Sequence, residues 1–174
     1  MSHPDDHHGP ALDPSAFRAE LQALYADLEA DIARLGPVCR LSGRCCRFAE
    51  YDHTLFVSAP EFALLLAEAP PPARPLDDGA TCPWQDHRGH CTARAARPLG
   101  CRVYFCEASY QKPMHALSEA YLARLKRLTE AHGLPWNYAP LHRHLHAARA
   151  AGRFPATPTR PQSDDFYAYI DNNS

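Results

Sequence analysis

Apolar residues at alternating steps of three and four mark the first element of the chain. Phe17, Leu21, Leu24, Leu28, Ile32 and Leu35 fall on one stripe, the signature of a helix with one buried face. Asp13 is placed to cap it, Pro14 suits its first turn and Gly36-Pro37 ends it. The stripe predicts packing onto the chain's own core rather than a dimer seam. Thr54-Leu55-Phe56-Val57 predicts a short buried strand. Ser58-Ala59-Pro60-Glu61 then has the form of a capping box, opening a helix through Phe62, Leu65 and Leu66 that Pro70-Pro71-Pro72 stops. Asp86-His87-Arg88-Gly89 predicts a hairpin turn, with Gly89 at a position needing positive φ. An extended piece is expected at 101–106. Met114, Leu117, Tyr121, Leu125 and Leu128 mark a helix over 114–132 closed by Gly133, and a last helix runs from Pro140 to Ala151, closed by Gly152.

The pattern places a single metal-binding domain at 13–152, between a polar tail at 1–12 and a C-terminal tail at 153–174. Phe166, Tyr167, Tyr169 and Ile170 give that second tail the means to dock. At 174 residues one domain buries about two-thirds of its unfolded surface. A net charge of −2 gives no ground for nucleic acid or an acidic membrane as partner. The N-terminus lacks a basic region followed by an apolar run, and Phe62-Ala63-Leu64-Leu65-Leu66-Ala67 is the longest apolar run, so a cytoplasmic protein without a membrane span is expected. A protein or small-molecule partner is left open.

Cysteine changes the picture. All seven cysteines lie between positions 39 and 106, as Cys39, Cys45 and Cys46, then Cys82, Cys91, Cys101 and Cys106. In a reducing compartment such clustering points to metal or redox chemistry rather than structural disulfides, and an odd number would strand one thiol. The spacings are x5, adjacent, x8, x9 and x4. Zinc fingers and ribbons use C-x2–4-C pairs, of which Cys101-x4-Cys106 is the one example, and seven thiolates exceed the four that a closed zinc site or one iron–sulfur cluster takes. Arg40, Arg44 and Arg47 lie among the first cysteines and Arg88, Arg94, Arg97 and Arg102 among the second, with no lysine in the segment. Arg44, Arg47, Arg97 and Arg102 are therefore candidate cations around a thiolate-rich centre, which they would stabilise by charge and hydrogen bonding.

The C-x5-C-C, the following strand and capping box, the C-x8-C and Arg97-Pro98-Leu99-Gly100-Cys101-Arg102 together resemble the YkgJ-type cysteine-cluster proteins, described as zinc- or iron-chelating and as iron–sulfur proteins. The resemblance covers about two-fifths of the chain, Cys39 to Cys106. It implies Cys39, Cys45, Cys46, Cys82, Cys91 and Cys101 as ligands and leaves Cys106 as an extra ligand, a redox partner or a buried small hydrophobe. A related pattern is similar to that of flagellin lysine N-methylases, which admits a modifying enzyme.

Other residues compete less well. His53, His87 and His90 lie near the cysteines, and Asp52-His53 could supply ligands to iron. His142 and His146 stand one helical turn apart but read as a polar face. Phe48, Trp84, Tyr104 and Phe105 flank cysteines and would exclude water from a metal centre. No Walker loop, dinucleotide fingerprint, G-x-S-x-G or H-E-x-x-H is present. The expected fold is mainly α (α+β), with helices packed around a cysteine-rich irregular metal-binding centre and a small hairpin. The leading functional expectation is an iron–sulfur or thiolate-iron centre with a redox or enzymatic role, an iron-dependent oxidoreductase or modifying enzyme among them. A structural zinc module acting through partner binding comes second, and a thiol redox sensor third.

Overall fold

The computed structural model describes residues 14–154. The expectations for 1–12, for Asp13 as a cap and for the aromatic residues at 166–170 lie outside the described residues. Five helices carry the fold: α1 (Pro14–Leu35), α2 (Ala59–Glu68), α3 (Leu99–Val103), α4 (Gln111–Ala131) and α5 (Leu141–Ala150). Two two-residue strands, β1 (Phe56–Val57) and β2 (Ala139–Pro140), pair antiparallel with Phe56 opposite Pro140 and Val57 opposite Ala139. Among the described residues no helix is long and apolar enough to cross a membrane.

The helices divide into two packed groups. In the first, α1 packs on α4 and α3 lies against both. The stripe on α1 is buried as expected except at its end, where Leu35 is 48% exposed, and Tyr25 joins it. Leu21, Leu28 and Leu125 are fully buried, each contributing about 1.5–3 kcal/mol relative to an exposed side chain. In the second group α2 packs on α5 and on the segment around Arg94–Ala96, and Phe62, Leu65, Leu141, Leu145 and Trp84 form the core. The stripe of α1 therefore faces its own chain.

Three expectations needed adjustment. The strand at 54–57 is only two residues long, paired with the equally short Ala139–Pro140, and its faces alternate, with Phe56 exposed and Val57 buried. The helix expected at 114–132 begins earlier, at Gln111, since Pro113 lies in its first turn, where its missing N–H has no partner to lose. The extended piece expected at 101–106 is half helical: Leu99–Val103 form α3 behind Pro98 and only the residues after Val103 extend. The capping box is present as read, with the Ser58 N–H and Oγ–H both donating to Glu61 Oε2 at 3.2 and 2.9 Å. The hairpin is present too: Gln85 bridges Cys91, and Gly89 has φ +82°.

Gln85 ties the two cysteine segments together. It is buried, and its Nε2 donates to the carbonyls of Gly43 at 3.0 Å and Gly89 at 3.1 Å. Gly43 sits at φ +68°, and a Cβ there would stand 2.4 Å from Gly89 O and 2.5 Å from Gln85 Nε2. Gly43→Ala adds left-handed strain to a backbone clash. We expect it to destabilise the fold by about 2–4 kcal/mol, measured as a lower midpoint in urea unfolding; a shift under half of that would mean the two loops part easily.

Candidate metal centre

The first cysteine segment reaches the site through a 3-10 turn at Arg44–Cys46. The second is held against it by main-chain hydrogen bonds, with Cys82 N–H donating to Cys46 O at 2.8 Å. The third arrives on α3, and each residue of Arg97-Pro98-Leu99-Gly100-Cys101-Arg102 has a place there. Pro98 precedes the helix, and Leu99 is buried with its N–H donating to Glu61 Oε1 at 2.8 Å. Gly100 lets the helix approach β1, since a Cβ would stand 2.8 Å from Leu55 Cδ1. Arg102 lies over the Tyr25 ring at 4.2 Å, donates to the carbonyls of Arg97 at 2.6 Å and Ala95 at 2.7 Å, and pairs with Glu29. Cys101 is thereby aimed at the other thiols.

All seven cysteines line one cavity of about 70 Å³, in two tiers. Five form the inner tier. Cys46, buried, lies with its Sγ 4.0 Å from Cys45 Sγ, and its acidity is set by Cys45, Cys82 and Cys91. Cys101 interacts electrostatically with Cys82, Cys91 and Cys45. Cys39 and Cys106 are exposed at the rim, and Cys106 Sγ lies 3.6 Å from Ser42 Oγ. The division differs from the six-plus-one set that the family resemblance implies, since Cys39 stands outside with Cys106. Trp84, Phe48, Tyr104 and Phe105 line the same cavity, as expected of a water-excluding wall. Among the described residues no three His, Cys, Asp or Glu side chains are grouped as a single bound metal ion would need them.

The inner thiols differ in acidity. The hydrogen bond from Cys46 first, then Arg97, the main chain and His53, bring Cys45 down to about 6. Cys91 falls to about 7, again through Cys46 first, then the main chain and Arg97. The contacts with Cys45 first, then Cys82 and Cys91, raise Cys46. Burial first, then the neighbouring cysteines, raise Cys101. The inner thiols are therefore acidic at Cys45 and Cys91 and held protonated at Cys46 and Cys101. A thiolate forms as pH rises through its pKa, and the thiolate is the nucleophile. In reduced, metal-free protein, iodoacetamide should therefore label Cys45 with a rate half-maximal near pH 6, with Cys46 and Cys101 silent there. Mass-spectrometric mapping that finds every thiol titrating near the ordinary value of about 8.5 would contradict the arrangement.

The four candidate arginines separate. Arg97, half-buried, lines the cavity and donates through Nε to Arg94 O at 3.0 Å. Arg47 is engaged elsewhere, with Glu50 at 2.9 Å, and Arg44 lies over the Tyr51 ring at 5.1 Å. Arg102 braces α3, as above. Arg40, Arg94 and His90 also line the cavity. His53 buttresses it from outside: its Nε2 donates to Cys45 O at 3.3 Å and its ring stacks on Tyr104. His142 and His146 do not meet as a chelating pair. His146 donates to Asp77 O at 3.2 Å, His142 lies against Gly79, and the buried histidine of that helix is His144, whose Nε2 donates to Val57 O at 2.9 Å.

Sequence reasoning missed Gln85, Glu61 and Tyr25. Glu61 was legible as a cap residue, but its two further hydrogen bonds, from Tyr25 and from Leu99, come from segments 36 and 38 residues away. No family model, no curated protein and no solved structure matches the chain.

Proposed function

We propose that the chain holds a multi-atom iron centre, an iron–sulfur cluster, at Cys45, Cys46, Cys82, Cys91 and Cys101, in a redox or enzymatic role. The observation that carries this reading is the convergence of five thiols from three separate segments on one aromatic-walled cavity. Its volume of about 70 Å³ compares with the roughly 10–15 Å³ that one water needs on the same measure, so it takes a group of several atoms. A mononuclear zinc site requires four donors about one point at roughly 2.3 Å, and the thiols stand around a space instead. When bound, an iron–sulfur centre supplies one-electron transfer. The chain's own residues supply the ligands, the charge of Arg97 and the exclusion of water by Trp84 and Phe48. The resemblance of the cysteine motifs to the YkgJ-type proteins points the same way.

A thiol redox sensor is the second reading, favoured by the acidic Cys45 thiol with its Sγ 4.0 Å from Cys46 Sγ. Anaerobic purification with elemental analysis and a visible spectrum separates the readings. Iron with acid-labile sulfide and absorption near 400 nm is expected, by the general optical behaviour of such clusters. Colourless protein holding stoichiometric zinc would replace the proposal with the structural zinc module. Metal-free protein with reversible Cys45–Cys46 oxidation would establish the sensor.

A further inference from the structure

The mouth of the thiol cavity has a chemistry of its own. Its lining includes Arg40, Arg94 and Arg97, and neither an aspartate nor a glutamate. Elsewhere Arg18, Arg34, Arg47, Arg102 and Arg124 each pair with a carboxylate. The arginines at the mouth make no such pair among the described residues. The charge of Arg97 acts to lower the thiols of Cys45, Cys91 and Cys101, and its Nε donates to Arg94 O at 3.0 Å. Arg40 and Arg94 are exposed, and their guanidinium groups have no recorded hydrogen-bond partner among the described residues. Glu107 feels the charge of Arg40 but outside ion-pair distance, and its oxygens accept from Val38 N–H at 3.1 Å and Ser109 Oγ–H at 2.7 Å.

The same lining includes the side chains of Leu41, Tyr104 and Phe105 beside Ser42 and His90. Leu41 is 56% exposed and held at φ +52°, a conformation unfavourable for a bulky side chain and characteristic of functional sites. Gln85 fixes the loop carrying Arg40 and Leu41 to the turn that leads to Arg94, through its bonds to Gly43 and Gly89.

We infer that this mouth binds a small organic carboxylate. The carboxylate is held by Arg40 and Arg94, and the carbon body lies against Leu41, Tyr104 and Phe105 over the thiols. Guanidinium forks grip carboxylates with two parallel hydrogen bonds, and Leu41, Tyr104 and Phe105 favour an organic anion over a bare inorganic one. The inference deepens the metal-centre reading by naming what approaches the centre. It fails separately, because reduced metal-free protein carries the same mouth.

The test is isothermal titration of the full chain, metal-loaded and metal-free, with benzoate and its neutral isostere benzamide at fixed ionic strength. Benzoate is expected to bind saturably and at least about tenfold more tightly than benzamide. The double variant Arg40→Gln/Arg94→Gln should lose at least about tenfold in benzoate affinity, with benzamide binding and metal content unchanged. Equal affinities for the two probes, no saturable benzoate binding in either form, or full benzoate affinity in the double variant would overturn the site. Inorganic phosphate binding as tightly as benzoate would overturn the organic part of the assignment. Loss of metal with benzoate binding intact would count against the metal centre alone.

Discussion

Cys46→Ala is expected to reduce bound iron to under about a tenth of wild type after anaerobic reconstitution, because it removes the ligand at the centre of the sulfur group. Cys46 is the buried thiol whose acidity is set by Cys45, Cys82 and Cys91, so no other inner cysteine can take its position without moving a main chain held by the Cys82–Cys46 hydrogen bond. Cys45→Ala and Cys101→Ala should behave alike. Replacing a small buried thiol by a methyl group removes little volume, so folding of the metal-free chain should fall by only about 1 kcal/mol. Far-ultraviolet circular dichroism then separates metal loss from unfolding. Cys39→Ala and Cys106→Ala are the controls: each removes an exposed rim thiol and should leave most of the iron in place. Stoichiometric iron in the Cys46 variant would refute the inner-tier assignment, and complete loss in a rim variant would show that the rim loops close onto the centre.

Glu61→Ala should destabilise the protein by about 3–5 kcal/mol, though Glu61 is no candidate ligand. The carboxylate is 2% exposed and accepts four hydrogen bonds. Oε2 receives Ser58 N–H and Oγ–H at the start of α2, while Oε1 receives the Tyr25 hydroxyl at 2.8 Å from α1 and the Leu99 N–H at 2.8 Å at the start of α3. Burial and Glu61 together raise the Tyr25 phenol, which therefore remains a donor. Alanine leaves these donors buried without an acceptor, and each unsatisfied group costs about 1–3 kcal/mol. Glu61→Gln keeps the shape but turns an amide donor toward donors, and should lose about half as much. Urea unfolding followed by fluorescence measures both. A glutamine variant as stable as wild type would reduce Glu61 to a space-filling role. Because Leu99 begins the helix that carries Cys101, the alanine variant should also hold iron more weakly while folded.

Much of this was readable from local patterns. The stripe from Phe17 to Ile32 specifies α1 because a period near 3.6 can bury only one face of a helix. Ser58 with Glu61 specifies the start of α2 because both partners lie within one turn. Gly89 was identifiable because the hairpin turn needs positive φ. The reading failed where the deciding partner is distant. Phe56 and Val57 alternate across a strand paired with Ala139–Pro140, which leaves Phe56 exposed and Val57 buried, and Cys101 lies on a helix because Glu61 accepts the Leu99 N–H. His144, rather than His142 or His146, is the buried histidine of α5, its Nε2 donating to the carbonyl of Val57.

The cysteine stretch divides in the same way. By itself the sequence determined that seven thiols and eight arginines are concentrated between positions 39 and 106, and that only Cys101-x4-Cys106 has the spacing of a zinc-finger pair. Composition and spacing are properties of the chain alone. Only the tertiary structure decided which thiols converge: Cys45, Cys46, Cys82, Cys91 and Cys101 inside, Cys39 and Cys106 at the rim. It also decided that Arg97 lines the thiol cavity while Arg102 braces a helix. Those outcomes depend on Gln85 and Glu61 joining segments tens of residues apart. Hydrogen bonds of that range leave no periodic trace in a sequence.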